Sequence, residues 1–265
     1  MRDIDILFLF IPNKYYFCTK LIEMHITREM KMVDVVQKDI QLLAVIQRLE
    51  IPLGFREKSV KEVCEENNVD VEFFLQLANS FHDKDYFERK QFDKFPVEWI
   101  INYLRNAHRC YIDFRIPEIE RQIVNFEKIA DKKEKNVELL LNFFREYIKE
   151  FSTHIEQEEQ NVFPYILKLS QINSDLSTLN ESDILSYSID KYHEDHNNIE
   201  ETLFDLKNIL LKYLPPPVSN CQYNNLIFDI FRLESDLLDH AELEENVLFP
   251  RVREMEESIR RNHKG

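Results

Sequence analysis

One eleven-residue pattern occurs twice, and it constrains this chain more than any other feature. Residues 154–164 read HIEQEEQNVFP and residues 240–250 read HAELEENVLFP, so His, Glu, Glu, Glu, Phe and Pro recur at the same six offsets. On an α-helix, residues four apart lie one turn up the same face. His154 with Glu158, and His240 with Glu244, therefore each aim an imidazole and a carboxylate at one point. A single HxxxE in a charged helix is ordinarily a solvated surface pair. Duplication argues against that reading here, and a further histidine precedes each copy: His108 lies 46 residues before His154, and His196 lies 44 before His240. The midpoints of these intervals fall in the charged turn Asp131-Lys132-Lys133 and just after Pro215-Pro216-Pro217. If each interval is a helical hairpin folded at its midpoint, the four histidines reach one height in a four-helix bundle.

The rest of the composition agrees with that geometry. Two glycines in 265 residues, Gly54 and Gly265, and few alternating apolar runs predict an all-α chain with short turns. The expected fold is a four-helix up-down bundle preceded by a small N-terminal helical domain. A formal charge of −15 speaks against nucleic acid or an anionic membrane as the main partner. Cys18, Cys64, Cys110 and Cys221 form no CxxC and read as reduced thiols of a cytoplasmic protein. The best apolar run, Ile6 to Ile11, stops at Pro12 and is too short to span a bilayer, while Asp3 and Asp5 spoil the basic start of a secretory signal.

Residues 1–32 match nothing downstream; they read either as a flexible arm or as the product of a start codon placed ahead of Met30 or Met32. Residues 33–81 read as the small helical domain. It holds a helix from Asp34 to Glu50 capped by Asp34, a capping box at Ser59 and Glu62, and a helix opened by Asp70. Residues 82–95 read as a linker and 96–259 as the bundle. Helix A is expected over 97–129, with Trp99, Ile100, Leu104, His108, Tyr111 and Ile112 inward and a kink at Pro117. Helices B, C and D are expected over 136–168, 183–213 and 222–259, with a polar loop over 171–182. Phe163 and Phe249 read as core packing, and Pro164 and Pro250 as bends just past the level of the histidines.

Six ionisable groups in an apolar core need neutralising, because buried charge must be paired or coordinated. Two divalent ions achieve this, with two His on each, both Glu bridging, and a shared oxide or hydroxide as a fifth donor; each ion keeps an open position. Imidazole-rich ligation disfavours Mg²⁺ and Ca²⁺, and a closed structural zinc site would ordinarily include thiolate. A pair of Fe ions with room for a diatomic guest is the natural assignment, with Mn or Zn as substitutes.

With these residues in hand, 97–258 resembles the haemerythrin-like, HHE-type di-iron domain, and 33–258 resembles the RIC family of di-iron proteins that repair iron centres. The ligands the resemblance carries over are His108, His154, Glu158, His196, His240 and Glu244. It implies an oxo- or hydroxo-bridged di-iron centre of the stress response that counters oxidative or nitrosative damage to iron–sulfur clusters, by supplying iron or by processing nitric oxide. Related proteins carry a Cys-Cys-Gly-Gly turn in the N-terminal domain, where this chain reads Ile51-Pro52-Leu53-Gly54, so the resemblance carries over no thiol relay from that turn.

Several neighbours have two readings. His193 is either a fifth imidazole or a solvated group at the start of helix C. Glu159 and Glu245, one position past the ligand carboxylates, are rotated off the ligand face and read as outer or surface groups. Tyr111 and Tyr192 read as core packing that could bring a phenol near the open site. The functional alternative to repair is reversible binding or sensing of O₂ or NO, and the sequence leaves open whether there is turnover. The expected partners are O₂, NO or another small ligand, together with damaged iron–sulfur proteins.

Overall fold

The structure, a computed structural model, describes residues 25–83, 89–129, 135–174, 188–194, 199–213 and 220–263. Every regular element among them is helical, apart from one isolated bridge between Lys31 and Ser59.

Among the described residues, five helices precede the bundle, the first four being α1 (Met32–Lys38), α2 (Leu42–Arg48), α3 (Val60–Glu66) and α4 (Val71–His82). The single helix expected from Asp34 to Glu50 is two, separated at Asp39 and Ile40, and Asp34 lies in the first turn of α1 instead of capping it. The capping box at Ser59 and Glu62 and the cap at Asp70 form as expected. The chain leaves α2 through Glu50, whose positive φ of 57° lets the Ile51 N–H reach back to the Ile46 carbonyl. Upstream, Ile26 is buried and exchanges two hydrogen bonds with Asn79, so packing begins before α1. Residues 1–24 lie outside the described residues. Within the expected linker, a short α5 (Arg89–Phe92) buries Phe92 and is followed by buried Phe95.

Among the described residues, the first, second and fourth long rods of the bundle are each two α-helices joined by one π-helical turn. The first is α6 (Val97–Cys110), a wide turn at Tyr111–Arg115, and α7 (Ile116–Ile129). The second is α8 (Lys135–Gln157), a wide turn at Glu158–Val162, and α9 (Phe163–Ser174). The third comprises α10 (Ile189–Glu194) and α11 (Ile199–Tyr213). The fourth is α12 (Asn220–Leu243), a wide turn at Glu244–Leu248, and α13 (Phe249–His263). In α6 the buried residues Val97, Ile100, Ile101, Leu104, Ala107 and His108 recur at helical spacing, which is why His108 faces inward. Helix α7 packs on α8 and α12, and α11 packs on α8 and α12, giving the cyclic order of an up-down bundle. Trp99, expected inside, is 37% exposed and lies against Phe95 and Phe73 at the seam with the N-terminal helices.

The apolar interior forms two separate clusters. One joins α1–α4 to the near end of the bundle, through residues such as Leu104, Phe163, Ile166, Leu248 and Val252. The other fills the far end, from Ala107 and Tyr111 through Phe144, Phe151, Leu206 and Leu233. The layer between them contains His108, His154, Glu158, His240 and Glu244. No helix among the described residues is long and apolar enough to cross a membrane.

Candidate metal centre

Four of the six expected ligands converge. His108, Glu158, His240 and Glu244 are all buried, and each offers one ligand atom such that these atoms lie within 4.8 Å of one another. The two Nε2 atoms of His108 and His240 stand 3.2 Å apart, and His240 Nε2 is 3.1 Å from Glu244 Oε1. Two donors at right angles around one ion, each ~2.1 Å from it, would be about 3 Å apart, so this spacing fits a shared cation. His154 stands at the edge of the group, its Nε2 3.4 Å from Glu158 Oε1. His196 lies outside the described residues, as do residues 131–133 and the triple proline.

Glu158 turns its two oxygens to different sides. Oε1 faces His154, whereas Oε2 lies 3.2 Å from His108 Nε2. The side chain is fully buried, yet Oε2 sits off the hydrogen-bond direction and has no hydrogen-bond partner. Burying a carboxylate this way is costly unless positive charge lies beside it. Two imidazoles, two carboxylates and an orphaned carboxylate oxygen in one enclosed layer therefore fit a cation, and the residues able to hold it are His108, Glu158, His240 and Glu244, with His154 on the far side of Glu158.

The electrostatics of the two inner histidines diverge. Burial pulls His108 down, but the carboxylates of Glu158 and Glu159 outweigh it and lift the imidazole to about 9. His240 is lowered to about 3, by burial first and then by the positive charges of His108 and Arg48. With cations in place these preferences would give way to coordination, which requires a neutral imidazole nitrogen.

Three neighbours complete the site. Glu159, expected to rotate away, accepts from His108 Nδ1 at 2.9 Å and from Arg105 Nε at 2.9 Å. It lies off the ligand face of its own helix, and that offset carries it to the outer nitrogen of a histidine on the adjacent rod. Such a carboxylate fixes the tautomer, leaving Nε2 as the inward donor. Glu159, Arg105 and His108 also line a solvent-open cavity of about 530 Å³ with Asn106, Arg109 and Ile155. Phe163 is buried as expected, and its ring stacks on His108 at 5.5 Å with planes 8° apart. Tyr192 donates to Glu158 Oε1 at 3.0 Å, so it is a site neighbour as well as a packing residue. The next residue, His193, belongs to the same helix, α10.

Sequence reasoning missed Arg48. It comes from α2, is buried, and donates from Nη2 to Asp236 Oδ1 at 2.6 Å and to the Tyr111 hydroxyl at 2.9 Å. The Tyr103 and Tyr111 rings flank its guanidinium at 5.4 and 5.5 Å. Asp236 is one turn before His240, and the Tyr111 ring meets His240 edge-on at 5.9 Å. A lone arginine in the last turn of an amphipathic helix carries no signal of a partner 188 residues away.

Known proteins agree with the geometry. The chain is 24% identical over 194 residues to the iron-sulfur cluster repair protein ScdA of Staphylococcus haemolyticus, covering 72% of this chain and 82% of that protein. It is 26% identical over 159 residues to the iron-sulfur cluster repair protein YtfE of Escherichia coli O157:H7, covering 59% of this chain and 66% of that one. The family described as the Hemerythrin HHE cation binding domain matches residues 118–252, just over half of the chain. That span includes both HxxxE boxes and starts ten residues after His108. A match of this extent, over a bundle whose buried layer gathers His and Glu from three rods, makes the chain a member of the haemerythrin HHE cation-binding family.

Proposed function

We propose that the polar layer holds a pair of iron ions and that the protein maintains or repairs iron–sulfur clusters damaged by oxidative or nitrosative stress. The observation that carries the metal reading is Glu158, one carboxylate dividing its oxygens between His108 and His154. An imidazole-rich set with carboxylates and no thiolate favours iron over Mg²⁺ or Ca²⁺ and over a closed structural zinc site. The repair role is supported by the names of the ScdA and YtfE relatives.

When bound, the ions supply redox chemistry and a place for O₂ or NO. The chain's own residues do the rest. His108, His154, His240, Glu158 and Glu244, with His196, hold the ions. Glu159 keeps His108 turned inward, and Phe163 and Tyr111 wall the layer with apolar surface. The solvent-open cavity of about 530 Å³ that His108 and Glu159 line has the volume to hold a diatomic molecule beside the layer.

The test is iron stoichiometry together with reactivation of a damaged iron–sulfur enzyme. Wild type should carry two irons per chain and restore activity; His240→Ala should lose iron and fail to restore it. Repair by the iron-free variant at the wild-type level would sink the proposal. A stable, reversible oxygenated spectrum without repair would move the reading to a carrier or sensor.

A further inference from the structure

We infer that Tyr192 is a positioning residue of the metal centre, holding Glu158 so that its two oxygens serve two different cations. This rests on the metal-centre reading above and goes beyond it by assigning what keeps the carboxylate divided. The Tyr192 hydroxyl donates to Oε1 at 3.0 Å, and His154 Nε2 faces the same oxygen at 3.4 Å, while Oε2 is turned to His108 at 3.2 Å. An ionised carboxylate oxygen has more than one acceptor direction, so Oε1 can take the phenol's hydrogen and still face a cation on the His154 side. Without that donor nothing described at Oε1 but His154 opposes rotation of the carboxylate, and both oxygens can turn to the His108 side.

The hydroxyl is held in place by an assembly the metal reading does not otherwise use. Glu256 is buried on α13, and its Oε1 accepts from the Ile189 backbone N–H at 3.0 Å and from the Tyr165 hydroxyl at 2.8 Å; Oε2 takes Arg260 at 3.1 Å. Ile189 is the first residue of α10, so a side chain of the fourth rod and one of the second together fix where α10 starts. Tyr192 follows three residues later, its ring edge-on to Phe249 at 6.1 Å. In sequence it stands four residues before His196, one of the expected ligands.

The probe is Co²⁺, titrated calorimetrically into the chelator-stripped full chain. Wild type is expected to bind two Co²⁺ in resolvable steps. Tyr192→Phe keeps the ring and removes one hydrogen bond; it should leave the first step unchanged and weaken the second by about 10- to 100-fold, as loss of an outer hydrogen-bond partner does at metal sites. Tyr165→Phe, which loosens the anchor of α10 without touching Glu158, should weaken the same step by a smaller factor. Equal weakening of both steps in Tyr192→Phe, or no change in either, would overturn the assignment. So would a phenolate-to-iron charge-transfer band in the ferric wild type that Tyr192→Phe lacks, because Tyr192 would then be a ligand itself. Failure of wild type to bind Co²⁺ would instead remove the metal centre on which the inference rests.

Discussion

Arg48 is the severest test of how the N-terminal helices and the bundle hold together. Burial alone would lower its pKa, but Tyr111, Tyr103 and Asp236 keep the guanidinium charged, well above its ordinary value. Arg48→Met would leave Asp236 without its cation and two phenols without a charged donor. Breaking a buried pair from one side costs roughly 3–5 kcal/mol. The Asp236 side chain keeps 16% exposure, which puts the loss nearer the low end. At about 3 kcal/mol, and about 2–4 °C per kcal/mol for a chain of this size, Tm should fall by about 6–12 °C. Replacing both partners, Arg48→Met with Asp236→Leu, should recover most of this, since apolar groups of similar volume substitute for a buried pair at little cost. Urea unfolding followed by circular dichroism and by the fluorescence of Trp99, the single tryptophan, reads global helix loss and the seam with the N-terminal helices together. In wild type the two transitions should coincide. A loss below about 1 kcal/mol in Arg48→Met, or a double variant no more stable than the single one, would refute the reasoning.

Other outcomes follow from the same layer. In chelator-stripped protein His108 is raised to about 9, so the stability it adds is full below its unfolded value near 6.5 and is lost as pH rises through 9. His240 is lowered to about 3, so its contribution is present above about 6.5 and is lost as pH falls toward 3. Tm against pH should therefore peak near 6.5, and His108→Gln should flatten the alkaline limb. Glu159→Gln weakens the partner of His108 Nδ1 and should cost about tenfold in affinity for the first Co²⁺, read by competition with a chromophoric chelator. The iron and repair losses expected of His240→Ala, and the selective loss of the second Co²⁺ in Tyr192→Phe, complete the set.

What could be read in advance was whatever helical period projects onto one face. The HxxxE copies needed only a four-residue spacing, and His108 came from the near-equal intervals, so the bundle and most of its inner layer were legible. Glu159, read as an outer or surface group, and Tyr192, read as core packing that could bring a phenol near the site, were each left with two readings, because their roles depend on which neighbouring rod each side chain meets, and single-helix periodicity does not carry that. Trp99 was placed inside because its apolar ring was counted with helix A alone; the N-terminal helices provide the surface it lies on. The break between α1 and α2 fell within a continuous apolar pattern, with the Asp39 side chain accepting from the Gln41 N–H at the break. Arg48 needed knowledge of α2 and of two rods of the bundle at once.

The prolines show how sequence sets the height of the polar layer. Pro117, Pro164 and Pro250 were expected to kink or bend their helices. Each is preceded, at the same offset, by one π-helical turn: Tyr111–Arg115, Glu158–Val162 and Glu244–Leu248. In all three the residue before proline closes the turn, with the N–H of Ile116, Phe163 and Phe249 reaching the carbonyl five residues back. A proline inside an α-helix lacks an N–H and presses its ring on the carbonyl four residues earlier. One extra residue in the preceding turn gives the ring room, so the rod continues through the proline. The widened turns begin at Glu158 and Glu244, in the layer between the two apolar clusters, and at Tyr111, the far-cluster ring that meets His240 at the edge of that layer. Wide turns of this kind gather at functional sites because they re-aim side chains without ending the helix. The Phe-Pro that closes each repeated box therefore belongs to the construction of the site: the proline fixes where the rod widens, and the widening presents the carboxylate.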